Sequence, residues 1–388
     1  MKIESLEYID HASGWKLEKV DFQRLTLLVG ASGVGKTKIL EAILNLKGIA
    51  RGKSFNGIEW NVRFSTADGR ICEWRGRFEK GHRQDYFSLT FLSDESNKDL
   101  FNIEFERLTI DGSLVIERKP EKILLNGEKT VKLSPSKSVL ELLKEEEEIK
   151  AIHDEFSKIL FDDGVPDKGF SALFNPERFH LDLERDLGAI FNPERKFTTL
   201  DDIRRSNEDI TSKLYLTYAN ELQIFNEIKD ILIGIFPYIQ DIKVQLREFK
   251  PLPSQKFSIV NIQMKEAGVA DWIDEARISS GMLKTLQHIA ELYLCPNHSL
   301  ILIDEFENSL GVNCMEEVTS TMLAPERDLQ FILTSHHPYI INNIGAEYWK
   351  IVTRKGSVVT VRDAKALGIG KSKHQAFLQL INLDSYDI

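Results

Sequence analysis

The feature that most narrows what this chain can fold into is GASGVGKT, Gly30 to Thr37, set between the apolar run RLTLLVG and an amphipathic helical pattern. A tight strand-to-helix turn needs one glycine. Three glycines in frame with a Lys-Thr pair form the pattern Gly, four residues, Gly-Lys-Thr. Such a loop wraps closely around a polyphosphate, so that successive N–H groups and the amino end of the following helix face the anion. Gly30, Ala31, Ser32, Gly33, Val34, Gly35, Lys36 and Thr37 then form the anion cradle, with Lys36 neutralising the β and γ oxygens and Thr37 coordinating magnesium. A strand feeding a helix through this loop implies an α/β fold.

The loop alone does not separate a kinase from a hydrolase or a switch, so a second element is required. SLILIDEFENSL, residues 299 to 310, supplies four consecutive apolar residues and then Asp304 and Glu305, the pattern of a buried parallel strand with two carboxylates at its tip. Asp304 is placed to hold a magnesium shell through water, and Glu305 to orient or deprotonate the water that attacks a γ-phosphate. A single acidic residue at a strand end is commonplace where the end faces solvent. ARISSGMLKTLQHIAELYL sets Ser279, Ser280 and Gly281 ahead of a periodic helix, which is ordinary capping by itself and an anion site when a phosphate reaches it. LQFILTSHHPYIIN is an apolar strand ending in Thr334, Ser335, His336 and His337. A lone histidine is usually structural or exposed, but here His336 stands where a neutral imidazole can contact the γ-phosphate or the attacking water.

The 388 residues suffice for a large core, and the 42% hydrophobic and 28% charged fractions are those of an ordinary soluble globular chain. No apolar run reaches the roughly 18 residues that cross a bilayer. MKIESLEYID lacks the basic and apolar regions of a signal peptide, so a cytoplasmic location is expected and no membrane partner. Cys72, Cys295 and Cys314 have no pairing or metal spacing. The formal charge of -10 argues against coating nucleic acid but leaves room for a local basic groove. KEEEEIK, residues 144 to 150, reads as a solvated helix face.

Four regions are expected along the chain: an N-terminal lobe with the glycine loop (1–56), an antiparallel β meander broken by ADG, DGS and NGE turns (57–134), a helical insertion (135–238) and a C-terminal lobe (239–388). Within the insertion Phe-Asn-Pro-Glu-Arg occurs at 174–178 and 191–195, a repeat best read as two helix starts. DIKVQLREF and KFSIVNIQM read as strands, YWKIVTRKGSVVTVRD as a hairpin and KHQAFLQLI as a short helix carrying His374.

In this order and spacing, the four elements resemble the nucleotide-binding domain of ABC-type ATPases, closest to the SMC and RecF-like proteins and to the OLD-like, AAA-annotated ATPases of prokaryotic defence systems. The resemblance covers roughly 1–50 and 270–345. It implies a P-loop NTPase fold of the ABC ATPase type, with the antiparallel β subdomain and helical insertion added. By that pattern Gly30 to Thr37 is the Walker A loop, ISSGM at 278–282 the signature, Asp304 with Glu305 Walker B, Asn308-Ser309-Leu310 the D-loop and His336 the switch histidine. The family implies ATP and Mg2+ as ligands and a homodimer, or a higher even oligomer, in which Ser279, Ser280 and Gly281 of one subunit close on the γ-phosphate held by the other. It also implies hydrolysis through Glu305. Two features depart from the pattern: Ser280 replaces a signature glycine, and SLGV stands where defence-type members often carry Leu-His-Pro. Gln84 is the best-placed glutamine for a Q-loop, and a surface turn is its plainer reading. The residues after His336 hold no acidic cluster for a fused nuclease.

Three functions remain open on sequence: an ATPase that regulates a separately encoded effector in antiphage defence, a RecF-like repair ATPase that clamps DNA, and an ATP-dependent scaffold with little turnover.

Overall fold

The computed structural model describes residues 1–81, 100–120, 122–162, 197–206, 208–252, 255–309, 319–320, 322, 327–337, 341 and 343–369. Gln84, Leu310, His374, the paired Phe-Asn-Pro-Glu-Arg segments and the KHQAFLQLI helix lie outside these residues.

Strands β1 (Lys2–Asp10) and β2 (Trp15–Asp21) form an antiparallel hairpin whose turn is held by Asp10, its carboxylate accepting from the N–H groups of Ala12 and Ser13. Next comes β3 (Leu25–Val29), buried at every position, and then the glycine loop and α1 (Lys36–Ala50). The meander is β4 (Ile58–Ser65), β5 (Ile71–Phe78), β6 (Ile103–Ile110), β7 (Ser113–Lys119), β8 (Lys122–Leu125) and β9 (Glu128–Lys129). After it come α2 (Val139–Leu142), α3 (Glu147–Ser157) and β10 (Ile159–Asp162), then α4 (Leu200–Arg205), α5 (Ile210–Ala219) and α6 (Gln223–Ile235). The remaining elements are β11 (Ile239–Leu252), β12 (Gln255–Glu266), β13 (Ile273–Asp274), α7 (Ser280–Leu294), β14 (Leu300–Ile303), β15 (Gln330–Thr334), β16 (Trp349–Lys355) and β17 (Val358–Asp363).

The chain divides into two compact units. The first comprises Met1–Asp162, His298–Glu305 and Asp328–Ile388, and the second Asp163–Asn297 and Phe306–Arg327. One 14-stranded sheet runs through the first unit in the order β10-β14-β15-β3-β16-β17-β2-β1-β4-β5-β6-β7-β8-β9. From β10 to β16 neighbouring strands are parallel, and from β2 through β9 they are antiparallel. The two compositions differ accordingly. Strands β3, β14 and β15 are apolar runs buried on both faces, whereas β4 and β5 alternate. Trp60, Val62, Phe64 and Trp74 are buried in one core with Phe156 of α3, whose ring centroid lies 5.4 Å from that of Phe64 and 5.1 Å from that of Trp74.

In the second unit β11, β12 and β13 form a separate antiparallel sheet. Ile242, Val244, Ile262 and Met264 from this sheet pack with Ile228 and Leu232 of α6 and Leu286 and Ile289 of α7. Among the described residues no helix is long and apolar enough to cross a membrane.

Two local expectations are revised and a third is extended. FSKILFD, read as helix, ends in strand β10, which forms four parallel rungs with β14 from Ile159↔Leu300 to Asp162↔Ile303. An apolar run this short carries no periodicity that separates strand from helix, and the open edge of β14 decides it. KEEEEIK is split, with a turn through Glu145 and α3 starting only at Glu147. The C-terminal hairpin forms as expected but enters the large sheet: β16 pairs with β3 and β17 with β2.

Candidate functional site

Parallel pairing brings the carboxyl ends of β14, β15 and β3 to one edge of the sheet, since Ile303 is opposite Leu333 and Thr334 opposite Leu28, while β16 runs on past that edge from Ile351, opposite Val29. Ligand sites of open α/β sheets lie at that edge. The residue after β3 is Gly30, those after β14 are Asp304 and Glu305, and those after β15 are Ser335 and His336.

Gly30 has φ 153°, and a Cβ there would lie 2.3 Å from the carbonyl oxygen of Val352 on β16, so only glycine lets the chain leave the sheet so close to its neighbour. Gly35, at φ 105°, is the left-handed N-cap of α1; a Cβ there would meet Val359 Cγ2 at 3.2 Å and Trp15 Nε1 at 3.6 Å. Helix α1 therefore starts with no side-chain cap and no acidic residue in its first turn. Helix starts of that kind leave N–H donors suited to an anion.

Lys36 is buried, and its Nζ donates to the carbonyl oxygens of Gly30 and Ala31, both at 2.8 Å. The ammonium is thus held at the centre of the loop. The same Nζ lies 3.5 Å from Nδ1 of His336. An ammonium only donates, so in this contact Nδ1 can only accept. The hydroxyl of Thr37 donates to Oδ1 of Asp304 at 3.2 Å. Thr334 donates to the same oxygen at 2.6 Å and accepts from the Glu305 backbone N–H at 2.8 Å. Glu305 is exposed and has φ 47°, a left-handed backbone that costs a non-glycine residue about 1 kcal/mol. Arg354, near the carboxyl end of β16, donates to the Gly33 carbonyl at 3.3 Å.

The expected residues thus fall into two groups. Lys36, Thr37, Asp304, Glu305 and His336 meet in the first unit, with Gly30, Ala31, Ser32, Gly33, Val34 and Gly35 forming the loop around Lys36. Ser279, Ser280 and Gly281 belong to the second unit. Ser279 caps α7, its Oγ accepting from Met282 N at 3.3 Å, and both serines are exposed. Asn308 and Ser309 lie in a 3-10 turn of that unit, Phe306–Ser309. The roles of Thr334 and Val352 and the Arg354 contact were not read from the sequence. A hydroxyl ending one parallel strand beside an Asp that ends the next was the available signal for Thr334.

The donor chemistry fits a magnesium polyphosphate. The loop offers backbone N–H groups and one ammonium to the phosphates, while Thr37 and Asp304 offer hard oxygen donors of the type magnesium takes. Among the described residues no group of three or more His, Cys, Asp or Glu could hold a metal ion alone. Magnesium held by one or two side chains, water and substrate phosphates needs none.

Three solved structures are similar to the chain at low identity. The SMC head bound to the C-winged helix domain of ScpA is 16% identical with TM-score 0.48, over 93% of this chain and 98% of that one. The SMC head domain from Thermotoga maritima is 13% identical with TM-score 0.41, over 94% and 99%. The Smc head domain with an extended coiled coil, bound to the C-terminal domain of ScpA derived from Pyrococcus furiosus, is 14% identical with TM-score 0.39, over 98% and 99%. No curated protein matches the chain. A family model spans residues 25–342, from the first residue of β3 to beyond His336, and therefore takes in the glycine loop, Ser279 to Gly281, Asp304, Glu305 and His336. With that span matched, the chain belongs to the ATPase family described as "AAA domain, putative AbiEii toxin, Type IV TA system".

Proposed function

We propose that this chain is a magnesium-dependent ATPase that forms an ATP-sandwich homodimer and regulates a separately encoded effector in prokaryotic antiphage defence. The observation that carries the reading is the meeting of Lys36, Thr37, Asp304, Glu305 and His336 at the ends of three adjacent parallel strands. The family description, a toxin of a type IV TA system, supports a partner encoded separately.

ATP is the substrate. Its phosphates take the loop N–H groups and the Lys36 ammonium, which the Gly30 and Ala31 carbonyls hold in place. Thr37 and Asp304 would hold magnesium, which would supply positive charge against the phosphates. Glu305 accepts the proton of the attacking water, and the His336 imidazole donates toward the γ-phosphate. Ser279, Ser280 and Gly281 of a second copy supply the helix N-terminus that closes on the γ-phosphate, with Asn308 and Ser309 beside it. Hydrolysis removes the shared phosphate and releases the pair, so turnover becomes a change of assembly.

Phosphate release measured with wild type, Glu305→Gln and Lys36→Ala tests this directly. Glu305→Gln is expected to lower kcat about 10²-fold or more while retaining ATP, and Lys36→Ala to lose ATP binding. Light scattering with ATP and Mg2+ should show a dimer that Glu305→Gln traps. A steady monomer under those conditions refutes the sandwich, and a partner recovered from the native host only with the trapped variant identifies the effector.

A further inference from the structure

A hydroxyl has one proton to give, and the buried Thr334 gives its proton in a direction its neighbours dictate. Thr334 closes β15 and is 1% exposed. The Glu305 N–H can only donate to it, at 2.8 Å, so the Thr334 proton goes to Oδ1 of Asp304, at 2.6 Å. The result is a relay of fixed polarity, from the Glu305 amide through the Thr334 hydroxyl to the Asp304 carboxylate. Glu305, at φ 47°, has left the strand conformation, and the hydroxyl is the partner its amide finds. Ser335 is turned to a different task, accepting from the His337 N–H at 3.1 Å.

Resting on the reading of Asp304 as the magnesium carboxylate and Glu305 as the water-orienting one, we propose that Thr334 is the positioning residue of the site. One hydroxyl sets the orientation of the Asp304 carboxylate and also holds the left-handed backbone from which Glu305 projects. Two carboxylates on consecutive residues are thereby fixed relative to each other by a side chain from the neighbouring strand. Thr37 shares the same Asp304 oxygen at 3.2 Å, so the orientation Thr334 imposes reaches the loop as well.

Thr334→Val keeps the shape and removes donor and acceptor together; Thr334→Ser keeps the hydroxyl and removes only the methyl. The first measurement is hydrogen exchange at the Glu305 amide, which needs no turnover. In the unmutated protein this amide is protected, in Thr334→Val it exchanges at least about 10-fold faster, and in Thr334→Ser it stays protected. The second is a steady-state titration with ATP and Mg2+. Thr334→Val lowers kcat about 10- to 100-fold and raises the Mg2+ concentration for half-maximal rate, with KM for ATP within about two-fold, and Thr334→Ser restores both. Thermal melting confirms that the variants fold. An unprotected Glu305 amide in the unmutated protein overturns the proposal, as does wild-type exchange in Thr334→Val or a Thr334→Ser as impaired as Thr334→Val. Wild-type protein that releases no phosphate refutes the ATPase reading instead, and amide exchange then decides the role of Thr334 alone.

Discussion

The fully buried Glu106 of β6 and the nearly buried Arg118 of β7 offer the sharpest test of how the meander is held. The Glu106 carboxylate accepts from Trp74 Nε1 at 2.9 Å, Ser138 Oγ at 2.5 Å, Val139 N at 3.0 Å and Arg118 Nη1 at 3.4 Å. Arg118 also donates to the carbonyls of Lys137, at 2.6 Å, and Ser134. The pair thus pins the segment that opens α2 onto the inner face of the sheet. Arg118→Met keeps the volume but leaves a buried carboxylate without its counter-ion and two carbonyls without a donor, a loss of about 3–5 kcal/mol. Glu106→Gln turns an NH2 toward donors and strands the Arg118 charge, with a loss of about the same size. In the double variant Glu106→Gln, Arg118→Met neither charge is left buried alone, so its loss should fall short of the sum by about 2 kcal/mol or more. Urea unfolding followed by tryptophan fluorescence reports the region directly, because Trp60 and Trp74 are in ring contact at 5.1 Å. Strictly additive losses would refute the reasoning. None of these side chains touches the glycine loop, so ATP affinity should survive in every variant that folds.

Gly35→Ala forces an L-residue into φ 105° with its Cβ 3.2 Å from Val359 Cγ2, and should lower ATP affinity about 10-fold and stability by about 1–3 kcal/mol, read by nucleotide titration and thermal melting. Burial, with the charges of Arg51 and Lys53 adding to it, pulls the Lys47 ammonium down from 10.5 to about 8. Between those values the unfolded chain holds a proton the folded one has released, so stability rises with pH from about 8 toward 10.5. Denaturant midpoints of Lys47→Met should lack that rise. Burial pushes the Cys72 thiol up to about 12, so iodoacetamide at pH 8 should label the Cys72 peptide only after unfolding, as followed by mass spectrometry.

Much of the site was legible because its chemistry lies in short strings at element ends. The glycine loop, Asp304 with Glu305 and His336 each follow an apolar run, and such runs are strands buried on both faces in the structure. What could not be read is what other strands contribute across the sheet. The Val352 carbonyl that makes Gly30 obligatory and the Thr334 hydroxyl that holds Asp304 and Glu305 are neighbours only through pairing between segments about 30 or 300 residues apart. The meander was legible from alternation and turn residues, whereas β10 was not. Its four residues become a strand because β14 presents an edge to them.

Continuous apolar strands raise a further question, since burial on both faces leaves no alternation to specify register, and a one-residue slip of β15 would turn Thr334 away from Asp304. Polar residues at the strand ends supply the missing information. At the carboxyl end the pin is Thr334. At the amino end it is Gln330, 2% exposed, whose side chain accepts from the Ile3 N–H at 2.8 Å and donates to the carbonyls of Ile3, at 2.8 Å, and Gln23, at 3.0 Å. All three partners are met in the observed register, with Phe331 opposite Leu25. Gln330→Met fills the same space and leaves one donor and two acceptors unpaired, each worth about 1 kcal/mol or more, so unfolding should show a loss of about 3 kcal/mol. If Gln330 sets register, the variant should also lose protection at the Glu305 amide, at the opposite end of the strand. A variant that loses stability but keeps that amide protected would show that the apolar runs hold their alignment without it.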